Sequence, residues 1–112
     1  WWKEDPDKTQ RYFNQVLLRV GEAPDECRED LARQIISNHL ETQSMLTILP
    51  LQDWFAIDDS IKRSDIESER INVPANSRHY WQYRMHINLE ELIKADSLNE
   101  KISFLIRKSG RH

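Results

Sequence analysis

The patterns in these 112 residues predict an α/β chain that is mainly helical and has no complete sheet of its own. Two amphipathic helices come first, then one short apolar run that reads as a buried strand, and then a long aromatic loop ahead of a terminal helix. One buried strand makes no sheet alone. The order therefore predicts part of a larger body, such as the closing turn of a β/α barrel.

The first helix is predicted from about Pro6 to Val20. Asp5 suits its cap and Pro6 its first turn. Tyr12, Phe13, Val16, Leu17 and Val20 fall on one apolar face, and Gly21 offers a stop. The second helix is predicted from near Pro24 to about Leu40. Cys27, Leu31, Ile35 and His39-Leu40 continue its stripe, while Arg28, Glu29 and Arg33 take other faces. Ser44 to Leu49 is short and apolar, so it is predicted as a strand buried on both faces. Pro50 ends it, because proline cannot donate to a ladder.

Leu51 to Ile87 shows no sustained period apart from a helical turn at Gln52 to Ile57. Structureless loops of this length usually serve a function. Asn88 then opens a helix with a capping-box spacing to Glu91. Ser97 and Glu100 repeat that signal, so the last helix is predicted to restart there and bury Leu98, Ile102, Leu105 and Ile106. Arg107 and Lys108 suit its C-terminus, where cations oppose the helix dipole.

Composition narrows the function. Sixteen basic and 19 acidic residues are mixed along the chain, for a net charge of −3. A phosphate-backbone binder normally shows a basic stripe, so Trp81, Tyr83, Arg78 and Arg84 do not argue for nucleic acid. No apolar run reaches membrane-spanning length. The one cysteine, Cys27, excludes an internal disulfide and fits a reducing, cytoplasmic setting. His39, His79, His86 and His112 lack metal-ligand spacing, so no metal site is expected. The opening Trp1-Trp2-Lys3-Glu4-Asp5 lacks an initiator methionine and a signal peptide, as expected of a fragment.

Two stretches carry a family resemblance. Pro50-Leu51-Gln52-Asp53 follows the apolar run. Arg70-Ile71-Asn72-Val73-Pro74 comes next, and Trp81-Gln82-Tyr83-Arg84 follows seven residues on. In this order they resemble the C-terminal signature of the amylomaltase, or disproportionating-enzyme, family of 4-α-glucanotransferases, glycoside hydrolase family 77. Trp1-Trp2-Lys3-Glu4-Asp5-Pro6 resembles the stretch just after that family's His-Asp motif at the seventh barrel strand. The insert from Asp58 to Glu69 resembles the plant-type and Bacteroides-like branch more than the short bacterial enzymes.

The resemblance implies a C-terminal fragment of a (β/α)8 TIM barrel and transfer of α-1,4-glucan segments to a glucose or glucan acceptor with retention. Such transfer uses a carboxylate nucleophile and a carboxylic acid about 5 Å apart. The family's nucleophile, acid/base and transition-state-stabilising carboxylates all precede residue 1, so no catalytic residue is expected here. An α-1,4-glucan or maltooligosaccharide, the N-terminal part of the enzyme and self-association are the implied partners, with no cofactor.

Asn72 matches a family position that hydrogen-bonds glucose near the cleaved bond, and an amide carries both the donor and the acceptor that a vicinal diol needs. A turn asparagine beside proline is the plain alternative. Arg78 and His79 fall where the family loop nears substrate; a solvated loop is their alternative. Gln52 and Asp53 are expected to hold the strand end and loop through buried hydrogen bonds. Pro74, Trp81 and Arg84 would structure the loop. Trp54, Phe55, Trp81 and Tyr83 read as core before sugar platforms, and Asp58-Asp59 and Glu90-Glu91 as solvated charge. The competing reading is a self-standing helical protein-interaction module. It explains the stripes but neither the strand nor the loop motifs.

Overall fold

The computed structural model describes residues 1–65, 67–78 and 82–111. Helices are the regular elements among them: α1 (Pro6–Gln15), α2 (Glu29–Leu40), α3 (Leu51–Phe55), α4 (Leu89–Ile93) and α5 (Asp96–Lys108), with a 3₁₀ turn at Glu67–Glu69.

In α1 the Asp5 carboxylate accepts the Lys8 amide at 3.1 Å, with Pro6 in the first turn. The helix stops well short of the predicted Val20. Past Gln15 the backbone is taken over by side-chain amides. Asn14 Nδ2 donates to the Arg19 carbonyl at 2.8 Å and Gln10 Nε2 to that of Gly21 at 2.9 Å. Leu18 takes a φ of 55°, which no α-helix continues. Phe13 and Leu17 are buried as expected, but Val16 and Val20 face solvent, Val20 at 97% exposure.

α2 also starts later than predicted, at Glu29 rather than Pro24. The Pro24 carbonyl is occupied by the Trp2 indole N–H at 2.8 Å, so the approach to the helix ties down the N-terminus. Arg28 caps α2 without a side-chain bond, while Glu29 and Asp30 place negative charge in its first turn, where the dipole favours it. The helix serves two cores. Leu31 packs with Trp2, Phe13 and Leu17; Ala32, Ile36 and Leu40 pack with Phe55, Ile57, Leu98 and Leu105. Half-buried Cys27 touches both.

The predicted strand does not form. Residues 44–49 are irregular, and Met45 and Ile48 are 99% and 81% exposed instead of buried. A strand buried on both faces needs lateral partners for its backbone. No strand is present among the described residues to supply them. The segment is held at its ends instead. The Arg111 guanidinium donates to the carbonyls of Leu40, Thr42 and Ser44 at 2.6, 2.7 and 2.6 Å, and Leu49 packs against the larger core. No described helix is long and apolar enough to cross a membrane.

The C-terminal reading holds with one change. Asn88 accepts the Glu91 amide at 2.8 Å and its own amide donates to the Glu91 carboxylate at 2.9 Å, which completes the capping box. The chain breaks and restarts as α5, burying Leu98 and Leu105 with Ile102 and Ile106 beside them. Ala95, not Ser97, is its cap.

The whole is loosely gathered. Its accessible surface is 8528 Å². A self-contained folded protein of this mass exposes roughly 6,500 Å². The radius of gyration is 15.4 Å, against about 13 Å for a compact domain of this length.

Candidate functional site

The segment from Asp58 to Ile87 lies between α3 and α4, and a cluster of polar contacts ties its base to the helices. Asp58, only 2% exposed, sits just past α3. Its Oδ1 accepts the Ser60 amide at 3.0 Å and the Ser60 hydroxyl, and its carbonyl accepts the amides of Ile61 and Lys62 at 3.0 and 2.8 Å. Lys62 Nζ then reaches back to the Cys27 carbonyl at 2.9 Å. Together these bonds fix one turn, residues 58–62, against the approach to α2.

Oδ2 of Asp58 faces Lys101 Nζ of α5 at 3.3 Å, as an ion pair and not an aligned hydrogen bond. The same ammonium donates to Glu29 Oε1 of α2 at 2.6 Å, and Glu29 Oε2 accepts the Asp59 amide at 3.2 Å. Burial pushes the Asp58 carboxyl upward, but the polar groups around it, the Ser60 and Ser97 hydroxyls, the Ser60 amide and the Lys101 ammonium, outweigh it. The pKa is held at about 2. The bond from Lys101 likewise lowers Glu29.

The returning limb is tied to the same turn. His86 Nε2 donates to the Ile61 carbonyl, and its ring meets Phe55 edge-on at 5.5 Å. Arg63 donates to the Arg84 carbonyl at 3.1 Å and to the Ser68 carbonyl and hydroxyl at 3.3 and 3.0 Å. Partial burial raises both Glu69 and Tyr83; Arg63 and His86 oppose this at Glu69, whose charge adds to it at Tyr83.

The tip is different. Asn72, Pro74 and Arg78 are all exposed. Between them the Asn76 amide donates to the Val73 carbonyl at 2.9 Å, and Asn76 Oδ1 accepts the Arg78 amide at 3.1 Å. The arrangement is a tight turn that leaves the Asn72 amide and Arg78 guanidinium facing outward, with Arg84 exposed on the return. His79 and Trp81 lie outside the described residues.

Gln52 and Asp53 stand on α3, not at a strand end. Among the described residues neither side chain makes a hydrogen bond; their backbones do, Asp53 N to the Pro50 carbonyl and the Gln52 carbonyl to Ala56 N, both at 3.1 Å. Asp53 is exposed as a residue, yet its carboxyl is desolvated enough to raise its pKa against the charge of His39. Phe55 is core as expected, and Trp54 and Tyr83 are half-buried. No described His, Cys, Asp and Glu residues cluster in a way that could hold a metal.

Asp58 corrects the expectation of solvated charge, because it is buried and central to the base. The Asp-x-Ser spacing to Ser60 was a visible sign of a local side-chain-to-backbone turn. Lys101 and Glu29 gave no such sign, since 72 residues separate them.

The base of this segment is thus pinned to two helices, while an amide and a guanidinium stand exposed at its tip. Residues 1–90 match the family described as 4-alpha-glucanotransferase, glycoside hydrolase family 77, and the chain belongs to that family. It is 34% identical over 111 residues to the 4-alpha-glucanotransferase DPE2 of Oryza sativa subsp. japonica, covering 99% of this chain and 12% of that protein. It is 27% identical over 109 residues to the 4-alpha-glucanotransferase of Chlamydia caviae (strain ATCC VR-813 / DSM 19441 / 03DC25 / GPIC), covering 96% of this chain and 20% of that one. The chain thus spans no more than a fifth of either relative. No solved structure matches it.

Proposed function

We propose that the chain is the C-terminal part of the catalytic (β/α)8 barrel of a 4-α-glucanotransferase, and that it contributes a substrate-positioning loop instead of the catalytic carboxylates. The enzyme would pass α-1,4-glucan segments to a glucose or glucan acceptor with retention. That chemistry needs a nucleophile and an acid carboxyl about 5 Å apart. On this reading both lie in the part of the enzyme that precedes these residues.

The observation that carries the reading is the contrast within the motif loop. Its base is ion-paired and hydrogen-bonded to the frame, whereas Asn72 and Arg78 at its tip face outward. A rigid base with polar groups at the tip suits sugar hydroxyls, which take a donor and an acceptor from one amide. Residues 44–49 would occupy the eighth strand position, with the rest of the domain covering Met45 and Ile48. The alternative of a self-standing helical module is less well supported, since it leaves those side chains and the excess surface without a use.

Asn72→Ala in the full-length enzyme tests the loop. Loss of a hydrogen bond that tightens in the transition state is expected to lower transfer roughly 100-fold. Stability should change by less than about 0.5 kcal/mol, since the residue is exposed. An unchanged rate with a lowered melting temperature would make Asn72 a turn residue only.

A further inference from the structure

Glu29, Asp58 and Lys101 come from α2, the loop base and α5, and their charged ends converge on the one ammonium group. Asp58 is the switch point of this arrangement. One of its carboxylate oxygens meets Lys101, while the other, together with its carbonyl, builds the turn of residues 58–62. That turn receives His86, and through Arg63 the limb carrying Arg84 is fastened nearby. The direction of the Asp58 carboxylate therefore sets both ends of the loop.

We propose that Lys101 is a positioning residue for the substrate loop, holding Asp58 against Glu29 so that Asn72 and Arg78 are presented in one fixed orientation. Without the ammonium, a nine-tenths-buried carboxylate loses its only cation at ion-pair distance among the described residues. It must then swing outward or draw in water, and either response tilts the turn at the loop base. Asn72 lies on the segment that this turn supports, so a tilt at the turn shifts it as well. Displacements on the order of 1 Å are enough to impair a positioned reaction. The inference rests on the glucanotransferase reading for its kinetic consequence alone.

The test compares Lys101→Met, Lys101→Arg and a core variant of α2, Ile36→Val, in the full-length enzyme. Transfer from maltooligosaccharide donors, melting temperature and amide exchange across residues 70–78 are measured for each. Lys101→Met is expected to reduce kcat/KM roughly tenfold, mainly through KM. It should also speed exchange at the tip. Lys101→Arg, which keeps a cation beside the two carboxylates, should restore most of both. Ile36→Val should lower the melting temperature without either change. Should Lys101→Met fail to fold, Lys101→Gln replaces it in the same comparison. An equal KM rise in Ile36→Val, or tip exchange unaltered by loss of the ammonium, overturns the proposal. If the wild-type enzyme transfers no α-1,4-glucan, the functional reading fails, and the exchange comparison still decides the role of Lys101.

Discussion

Asp58 shows at the scale of one residue how opposed effects are resolved by counting partners. Burial favours its neutral form, yet four polar groups favour the carboxylate and win. A folded-state pKa of about 2 lies below the ordinary carboxylate value near 3.9, so the ionised form stabilises the fold. This contribution is complete above about pH 4 and is lost as pH falls toward 2, because the unfolded chain then binds the proton first. Its size is roughly 1–2 kcal/mol after allowing for solvent screening. Melting temperatures of wild type and Asp58→Asn should differ above pH 5 and converge toward pH 2. Parallel curves over that range would show that Asp58 carries no such linkage. Asp53 illustrates the reverse: its carboxyl is desolvated with no compensating hydrogen bond among the described residues, and its pKa rises.

At the scale of elements, local chemistry decides where helices begin and end. The capping box of α4 satisfies two backbone amides that no helical bond could reach. Asn88→Ala should cost about 1 kcal/mol of local stability. That is read as roughly fivefold faster amide exchange at Glu91; an unchanged Glu91 rate would show that the box contributes nothing. This cap was legible in the sequence, as were the α1 cap at Asp5, the turn at α3 and the buried Leu98 and Leu105. Each depends on residues a few positions apart. The end of α1 was not legible, because Gln10 and Asn14 compete with the helix by reaching to Gly21 and Arg19, and no hydrophobic period records that. The late start of α2 escaped for a related reason, as Pro24 is engaged by Trp2 from across the fold. Asn72, Pro74 and Arg78 could be picked out only as a motif. The Lys101 network at their base joins residues whose spacing carries no pattern.

For the molecule as a whole, the apolar run at residues 44–49 is the point where sequence and structure part. Its composition suits burial on two faces, and its actual setting is a carbonyl clamp from Arg111 with Met45 and Ile48 in solvent. The excess surface and large radius of gyration point the same way. The helices bury two cores around α2 and leave Val20, Met45 and Ile48 outward, a distribution that a covering partner would make favourable. Amide hydrogen exchange at residues 45–49 tests this most directly, compared between the separate chain across a concentration series and the full-length enzyme. The account predicts fast exchange in the dilute chain, slower exchange as copies associate, and strong protection in the full-length enzyme, where neighbouring strands satisfy the backbone. Slow exchange in a monomer at every concentration, or fast exchange in the full-length enzyme, would contradict it.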